Sequence, residues 1–333
     1  MIKIKSPTRV DLAGGTLDMW PLYNIVGGAK TINLAIDIWT EAHLTDSPEL
    51  FVIESLDYQK KWEFSDIDSF LSALDPKLFL FQKALAPFCQ MYPQKFKTPF
   101  HLKTRSESPI GGGLGGSSSL MISILKAFAQ WTEHQFISSH QIVHWAHNIE
   151  SEILNTPTGT QDYYPAVSGG LNILDYSFSG IQQKVLTLEN TPFDKYFLLV
   201  NTGRSHHSGL NNFEVLKSTV EQNTKVVAAL KDIAQISSEF ENVILNKNWN
   251  LIPALFQREY AARIQLTPAF SSPEIERLAD ISIHNGADAV KICGAGGGGC
   301  VLVWVEPSKR ESVVKACEKE KFQCLPTKPV AAL

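Results

Sequence analysis

Alternation of apolar and polar residues with a period of two predicts strands in the first third of the chain. The longest such segment is 31–40, in which isoleucine or leucine stands at every even position from 32 to 38. Residues 2–12 predict two strands with a turn at Ser6-Pro7 between them. Short apolar runs at 51–53 and 100–104 predict two more strands.

Helical spacing, with apolar residues three and four positions apart, replaces this alternation in two later stretches. One is 78–91, where Pro87 is expected to kink or end the helix. The other begins near Ser138, because Ser138 and Gln141 have the spacing of a capping box, and it continues to Leu154.

The order of predicted helices and strands changes after Thr202. Strands are predicted at 171–174, 185–188 and 196–200, helices over most of 209–285, strands at 287–292 and 301–305, and a final helix opened by Pro307. The change predicts two domains, residues 1–190 and residues 191–333, of which the second is a small antiparallel α+β unit.

Composition narrows the class of protein. The chain has 333 residues and a net charge of −4, with no run of basic residues. No apolar run approaches the roughly 18 residues that a membrane helix needs. We therefore expect neither a nucleic-acid nor a membrane partner. Five cysteines without a C-x-x-C pair, and an N-terminus without a signal-peptide core, favour a reduced, cytoplasmic protein.

The most distinctive stretch is 108–120, in which five of the six residues 111–116 are glycine and three serines follow. A glycine-rich loop that opens a helix can bind phosphate, because unpaired N–H groups and the helix dipole face the ligand. Two known phosphate loops do not fit. No acidic residue ends a second strand about 20 positions on, and Ser117 stands where the P-loop has lysine. A flexible loop before a capped helix is the alternative.

A second glycine-rich loop, 294–299, matches the pattern G-x-G-x-x-G, but a strand follows it where a dinucleotide site has a helix. Bare backbone in such a hairpin predicts that another group approaches it closely. An ordinary glycine-rich β-turn is the alternative.

Phosphoryl transfer requires neutralised phosphates, Mg²⁺ and a group that orients or deprotonates the acceptor hydroxyl. Ser117 and Glu150, near the ends of two helices, could supply the hydroxyl and carboxylate ligands that Mg²⁺ accepts. Asp162 could act as the base, and Arg9 could hold a phosphate or acidify the hydroxyl. Glu152 is a rival of Glu150, but residues two apart lie on different helix faces.

Two groups of histidines could also carry chemistry. His140, His144 and His147 share a helix face and could chelate a metal, although ordinary polar positions on an amphipathic helix are the alternative. The adjacent pair His206 and His207 could lie at the edge of an active site.

Three blocks in order resemble the motifs of the GHMP kinases, the family of galactokinase, homoserine kinase, mevalonate kinase and phosphomevalonate kinase. Residues 6–15 resemble the first motif, 109–119 the second, which binds the phosphates of ATP, and 291–299 the third. The resemblance implies an α+β, two-domain GHMP kinase fold. Its N-terminal domain is α/β-layered and holds the phosphate loop, and its C-terminal domain is ferredoxin-like α+β and holds the third motif.

The resemblance also implies roles for individual residues. Asp162 and Arg9 match catalytic positions, and Ser117 and Glu150 match Mg²⁺ ligands. The phosphates of ATP are expected at Gly111, Gly112, Gly113, Leu114, Gly115, Gly116, Ser117 and Ser118. The acceptor is expected at Asp18, Arg9, Asp162, Gly296 and Gly297. Two positions depart from relatives: Gly116, where many members have serine, and Arg9, where mevalonate kinases have lysine.

Within the family, Arg9 and the segments 13–18, 157–164 and 168–172 look like the sugar-1-kinase branch, most of all its D-glycero-D-manno-heptose 7-phosphate kinases. The expected function is ATP- and Mg²⁺-dependent phosphorylation of the anomeric hydroxyl of a sugar or sugar phosphate. The alternatives are a fucokinase- or galactokinase-like sugar kinase, a mevalonate-type kinase and a non-catalytic sugar sensor on the same fold. The sequence leaves open the adenine contacts and whether the protein is a monomer or a homodimer.

Overall fold

The computed structural model describes residues 1–204, 208–294 and 296–333. Its strands are β1 (Ile2–Ala13), β2 (Ala29–Asp46), β3 (Phe51–Ser55), β4 (Lys60–Phe64), β5 (Phe100–Ser106), β6 (Leu171–Ser177), β7 (Gly180–Leu186), β8 (Phe197–Asn201), β9 (Ala287–Ile292), β10 (Cys300–Val305) and β11 (Gln323–Leu325). Its helices are α1 (Leu22–Ile25), α2 (Ile67–Ser72), α3 (Phe79–Met91), α4 (Gly116–Thr132), α5 (Ser139–Leu154), α6 (Tyr163–Ser168), α7 (Phe193–Tyr196), α8 (Ser208–Val220), α9 (Thr224–Leu245), α10 (Ile252–Leu266), α11 (Pro273–His284) and α12 (Arg310–Lys319). None of the helices in these ranges is both long enough and apolar enough to cross a membrane.

The central strand of the larger sheet is β2. The sheet has seven strands in the order β4-β3-β5-β2-β6-β7, and β1 also pairs with β2. With 18 residues, β2 is long enough to pair with β1 along most of its length, with β6 at its start and with β5 at its end. Ile32, Leu34 and Ile36, which the alternation marks as apolar positions, are fully buried.

The prediction of a turn at Ser6-Pro7 is wrong, because residues 2–13 form the single strand β1. The register of β1 against β2 shifts between Pro7 and Thr8. Proline lacks the N–H that a ladder needs, and a bulge absorbs that interruption without ending the strand. The continuous strand carries Arg9 into the centre of the molecule, where it is buried.

Several other boundaries differ from the sequence pattern. The strands predicted at 171–174 and 185–188 form one hairpin, β6–β7, and α3 continues through Pro87 to Met91. The last helix begins at Arg310, three residues after the proline expected to open it. The sequence pattern does not predict β4, a five-residue strand in which three residues are charged.

Helices α9 and α10 lie between the large sheet and a second, antiparallel sheet of order β11-β8-β10-β9. Phe240 of α9 and Phe256 of α10 belong to a buried cluster that also contains Leu34 of β2 and Leu302 of β10. Helices α3 to α6 cover the other face of the large sheet, and α11 and α12 cover the other face of the small one. The two sheets therefore share one hydrophobic core.

The end of the chain returns to the large sheet. Pro329 pairs with Ile36 and Ala332 pairs with Gly169, in isolated bridges. The Lys328 N–H donates to Asp37 at 2.6 Å. Residues 328–332 thus lie against the N-terminal half, although the predicted boundaries, 1–190 and 191–333, assign them to the second domain. Those boundaries stay a prediction.

Candidate active site

A cleft of about 320 Å³ brings together most of the residues that the sequence nominates. Its lining includes Arg9, Asp18, Glu150, Asp162 and the whole glycine-rich segment 111–118. β1 supplies Arg9, the end of α5 supplies Glu150, and the turn before α6 supplies Asp162. Residues as far apart as 9 and 162 therefore meet in one concave site.

The loop before α4 has a backbone that its glycines permit. Gly111, Gly113 and Gly115 have φ values of 66°, 70° and 70°, which residues with a Cβ rarely adopt. Gly115 is the N-cap of α4, and no side chain caps that end of the helix. The first N–H groups of a 17-residue helix are therefore available to an anionic ligand.

Arg9 joins three segments around the cleft. Its Nε and Nη2 lie 2.7 Å and 2.6 Å from Oδ1 of Asp162. Its Nη1 donates to the carbonyl oxygens of Gly113 at 2.6 Å and Cys293 at 2.8 Å. Burial lowers the pKa of Arg9, but the charges of Asp162 and Asp11 outweigh burial and raise it above its ordinary value. Arg9 is thus a fixed cation that ties β1 to Asp162 and to the two glycine-rich segments.

Asp162 is the N-cap residue of α6, and its side chain is 25% exposed. Both contacts from Arg9 go to Oδ1, so Arg9 does not use Oδ2. A Cβ placed on Gly115 would lie 3.1 Å from this carboxylate, which therefore sits against the last turn of the phosphate loop. A carboxylate held through one oxygen keeps its second oxygen available to accept a proton.

Glu150 lies in the interior and is 8% exposed. Its Oε2 accepts hydrogen bonds from Ser118 Oγ, at 2.8 Å, and from the Tyr163 hydroxyl. Burial raises the pKa of Glu150, and these hydrogen bonds offset the rise only in part. The rival Glu152 lies at the surface, 2.5 Å from Lys83. The structure thus places Glu150, and not Glu152, in the cleft.

The two serines that open α4 differ in their surroundings. Ser117 is exposed in the first turn and lines the cleft, where its hydroxyl also helps to lower the pKa of Glu150. Ser118, expected to contact the phosphates of ATP, is buried, and its hydroxyl donates to Glu150. The available hydroxyl at this end of the helix is that of Ser117.

A strained turn carries Asp18 into the lining of the cleft. Thr16, a β-branched residue, has a φ of 78°, in the left-handed region that favours glycine. Asp18 Oδ2 accepts a hydrogen bond from the Gln161 N–H at 3.0 Å. A Cβ on Gly159 would clash with the same oxygen, so only glycine fits there. Burial raises the pKa of Asp18 to about 6.

Behind Asp18 lies an ionic network whose members the sequence pattern does not single out. Arg263 Nη2 lies 2.5 Å from Asp11 Oδ2, and its Nε lies 3.2 Å from Glu259 Oε1. Lys291 Nζ lies 3.2 Å from the same two oxygens. All four side chains are at most 2% exposed. The network ties β1 to α10 and β9 with two charges of each sign.

The second glycine-rich loop packs on the glycine-rich loop before α4. The Cys300 N–H donates to the Gly112 carbonyl oxygen at 2.8 Å. A Cβ on Gly294 would lie 2.8 Å from Gly113 Cα, so the two backbones approach closely. Gly294 also lines the cleft. The close approach expected for this loop is thus made, at least in part, by the other glycine loop.

The two glycines expected to contact the acceptor lie elsewhere in this loop. A Cβ on Gly296 would clash with the backbone of Phe270, and the Gly297 N–H donates to the Phe270 carbonyl oxygen at 3.1 Å. Neither glycine is among the residues that line the cleft. The structure therefore does not bring Gly296 and Gly297 together with Asp18 and Asp162.

Three residues of the sequence predictions lie outside the described residues. They are Ala295 of the third motif and the pair His206 and His207. A position for the histidine pair at the edge of an active site stays a prediction.

The three histidines of α5 have separate partners. His140 Nδ1 lies 2.9 Å from the Tyr164 hydroxyl, His147 Nε2 lies 3.0 Å from the Thr158 carbonyl oxygen, and His144 contacts a neighbouring asparagine. In the part of the chain that the structure describes, no three metal-ligating side chains come together. Through its bond to Thr158, His147 instead holds the loop that leads to α6.

The cleft is also lined by residues for which the sequence offers no motif, among them Asp57, Tyr58, Phe81 and Ile110. Asp57 Oδ1 accepts a hydrogen bond from the Ser106 N–H at 2.8 Å. Burial raises the pKa of Asp57. Apolar walls with a few polar groups are typical of a small-molecule pocket. Here they belong to the same cleft as the glycine-rich loop before α4.

Two family models match the chain. The model of the GHMP kinases N terminal domain matches residues 80–170, and the model of the GHMP kinases C terminal matches residues 242–324. Together they cover about half of the chain. The first match contains the glycine-rich loop 111–116, Glu150 and Asp162, and the second contains Arg263 and the second glycine-rich loop.

Relatives of known activity match nearly the whole chain. A D-glycero-α-D-manno-heptose 7-phosphate kinase of Campylobacter jejuni is 27% identical over 96% of this chain and 94% of its own length. A mevalonate kinase of Methanocaldococcus jannaschii is 24% identical over 96% of this chain and 98% of its own. The crystal structure of a D-glycero-D-manno-heptose 1-phosphate kinase from Bacteroides thetaiotaomicron has a TM-score of 0.78 at 21% identity, covering 100% of this chain and 97% of that one.

Proposed function

The chain belongs to the GHMP kinases, ATP-dependent phosphotransferases of sugars or related alcohols, and we propose that it phosphorylates the anomeric hydroxyl of a sugar or sugar phosphate. The observation that carries this proposal is the meeting of the phosphate loop, Asp162 and Asp18 in one cleft. As the acceptor we propose D-glycero-D-manno-heptose 7-phosphate. The heptose 7-phosphate kinase of Campylobacter jejuni, similar over 96% of this chain, supports that choice.

In this proposal the β- and γ-phosphates of ATP lie at the N-terminus of α4. The uncapped N–H groups there, and the left-handed glycines that precede them, favour an anion. The adenine is then proposed to lie near Phe81 and Asp57, which also line the cleft. This orientation leaves the γ-phosphate beside Asp162, whose carboxylate touches the position of Gly115.

Asp162 is proposed to accept the proton of the acceptor hydroxyl as that oxygen attacks the γ-phosphorus. Arg9 holds Oδ1 of Asp162 with two N–H groups and so leaves Oδ2 for the substrate. Asp18, on the other side, is proposed to accept a hydrogen bond from a sugar hydroxyl. Since Asp18 is anchored by the Gln161 N–H, next to Asp162 in sequence, the two carboxylates keep a fixed spacing.

Ser117 and Glu150 are proposed to hold Mg²⁺. A hydroxyl and a carboxylate next to phosphate oxygens are a donor set that Mg²⁺ accepts. Within the described residues no lysine or arginine side chain forms an ion pair with Glu150, whose recorded partners are hydroxyl groups. Burial raises the pKa of Glu150, because the charged form is costly there. A bound cation would offset that cost. Ser118 and Tyr163 both bind Oε2 and orient the carboxylate. When bound, Mg²⁺ neutralises charge on the phosphates.

The test is a panel of acceptors, with ADP release measured for heptose 7-phosphate, fucose, galactose and mevalonate. The proposal expects turnover with a sugar or sugar phosphate, and ³¹P NMR of the product should show the new phosphate on the anomeric oxygen. A preference for mevalonate refutes the sugar assignment. Tight sugar binding without turnover of any acceptor favours the sensor alternative.

A further inference from the structure

The two carboxylate oxygens of Glu150 have different surroundings. Oε2 accepts hydrogen bonds from the Ser118 hydroxyl, at 2.8 Å, and from the Tyr163 hydroxyl. Oε1 accepts none in the part of the chain that the structure describes, and it is not among the buried polar atoms that lack a partner. Oε1 is therefore open to the cleft that Glu150 lines. Since a carboxylate oxygen has two acceptor positions, the two hydroxyls occupy both positions of Oε2.

The Tyr163 hydroxyl is held firmly in this place. Tyr163 is the first residue of α6 and is fully buried. In the second half of α6, two carbonyl oxygens accept hydrogen bonds from Lys126 of α4, at 3.3 and 3.2 Å. The Tyr163 ring also meets the ring of His147 of α5 edge to face, with centroids 6.4 Å apart. Helix α6 is thus fixed against the two helices that carry Ser118 and Glu150.

The blocked oxygen matters because divalent cations differ in how they use a carboxylate. Ca²⁺ takes about 6–8 oxygen ligands and accepts a carboxylate through one or both oxygens. Mg²⁺ is smaller, requires near-octahedral geometry, and is usually held by one or two carboxylates together with phosphate oxygens and water. A carboxylate that can offer only one oxygen suits Mg²⁺ and withholds the second ligand that Ca²⁺ can use.

We propose that Tyr163, together with Ser118, makes the metal site selective for Mg²⁺ over Ca²⁺ by keeping Oε2 of Glu150 away from the ion. Glu150 then coordinates through Oε1 alone, and Tyr163 is a positioning residue that does not touch the metal. Tyr163 follows the proposed base Asp162 directly in the chain, so one turn of backbone positions both the base and the metal ligand. The inference rests on the proposed Mg²⁺ site and names the groups that select the ion.

The test measures the affinity of the protein for a non-hydrolysable ATP analogue by isothermal titration, in excess Mg²⁺, in excess Ca²⁺ and in EDTA. The wild type should bind the Mg²⁺ complex more tightly than the Ca²⁺ complex. In Tyr163→Phe the ratio of these two affinities should fall by about tenfold, as is typical when a hydrogen-bond partner of a metal ligand is lost. The affinity in EDTA should not change, because Tyr163 does not line the cleft.

The next residue of the same helix supplies a matched control. Tyr164 is 1% exposed, and its hydroxyl lies 2.9 Å from His140 Nδ1, so Tyr164→Phe also removes one buried hydroxyl. It does not touch Glu150 and should keep the wild-type ratio. Ser118→Ala removes the other donor to Oε2 and should lower the ratio as Tyr163→Phe does. Melting temperatures show that each variant is folded.

An unchanged ratio in both Tyr163→Phe and Ser118→Ala overturns the inference. An equal fall in Tyr164→Phe also overturns it, since the cause would then be the packing of α6. Glu150→Gln separates this result from the proposed site itself. If Glu150→Gln leaves the effect of Mg²⁺ on analogue affinity unchanged, the proposed metal site is wrong and the inference falls with it. If Glu150→Gln abolishes that effect while Tyr163→Phe and Ser118→Ala alter nothing, only the selectivity inference fails.

Discussion

Two aspartate–arginine pairs lie at the cleft and differ in what surrounds them. Asp162 is 25% exposed and meets Arg9 through one oxygen only. Asp11 and Arg263 are at most 2% exposed, and each also contacts another charged group. The same pair of groups can take part in chemistry only where a carboxylate oxygen faces the substrate. We call Asp162 and Arg9 the open pair, and Asp11 and Arg263 the sealed pair. The sealed pair connects β1 with α10 in the C-terminal half.

The energetic consequences of the two arrangements differ. In the sealed network two acids balance two bases, and removal of one partner leaves a buried charge without compensation. At Asp162 the neutral isostere asparagine leaves Arg9 with its carbonyl bonds to Gly113 and Cys293. We therefore expect the open pair to govern rate and the sealed network to govern stability. Asp162→Asn and Asp11→Asn test this, and Asp18→Asn tests a buried carboxylate outside both arrangements.

The largest effect is expected for Asp162→Asn. Loss of the proton acceptor should lower kcat by about 10²–10⁴-fold, because general base catalysis contributes about that much. The affinity for ATP should stay close to that of the wild type, since the phosphate loop is unchanged. Steady-state ADP release and nucleotide titration measure the two quantities. Asp175→Asn, which disrupts the exposed pair with Lys30, is the control and should turn over as the wild type does. Turnover near the wild-type value in Asp162→Asn would contradict the role of Asp162 as the base.

Asp11→Asn should act on stability. It leaves Arg263 and Lys291 with a single buried acid, and breaking a buried ion pair in this way costs about 3–5 kcal/mol. The free energy of unfolding in urea measures the loss. Glu239→Gln, which breaks the exposed pair with Arg258, should cost no more than about 1 kcal/mol. A loss for Asp11→Asn as small as that of the control contradicts a structural role for the network.

Asp18→Asn should raise stability and weaken acceptor binding. The pKa of Asp18 is raised to about 6, so the folded state disfavours its charged form. This cost is absent below pH ~4, grows as the pH rises towards the folded pKa, and is fully present above it, at about 3 kcal/mol. The variant should therefore unfold at higher urea concentration at pH 8, with little difference at pH 4, while the KM for the acceptor rises. Equal stability of the variant and the wild type at pH 8 would show that the buried charge has no such cost.

The backbone of the glycine-rich loop 111–116 and the helix that follows it could be predicted because both leave local marks in the sequence. Left-handed backbone at Gly111, Gly113 and Gly115 requires glycine, and a helix must follow for its N–H groups to face a phosphate. Glu150 and Asp162 lie at the end of a helix and in a loop, as their patterns indicate. These features depend on neighbours in sequence, which a pattern can display.

The rest of the site depends on contacts between distant segments. Glu259 and Arg263 are charged residues four apart on a helix, a spacing equally typical of a solvated surface, yet they are buried by β1 and β9. The close approach predicted for the second glycine loop is real, but the backbone at Gly113 makes it, and Gly296 packs on Phe270. Which distant residue a segment contacts is decided by the tertiary fold, and the hydrophobic periodicity of the sequence does not reveal it.

The most direct test of this comparison is the turnover number per folded molecule of Asp162→Asn and Asp11→Asn, measured at saturating ATP and acceptor. The temperature is kept below both melting points, so that each sample is folded. We expect Asp11→Asn to stay within about tenfold of the wild type and Asp162→Asn to fall by about 10²–10⁴-fold. Equal losses in the two variants, or a larger loss in Asp11→Asn, would contradict the assignment of chemistry to the open pair.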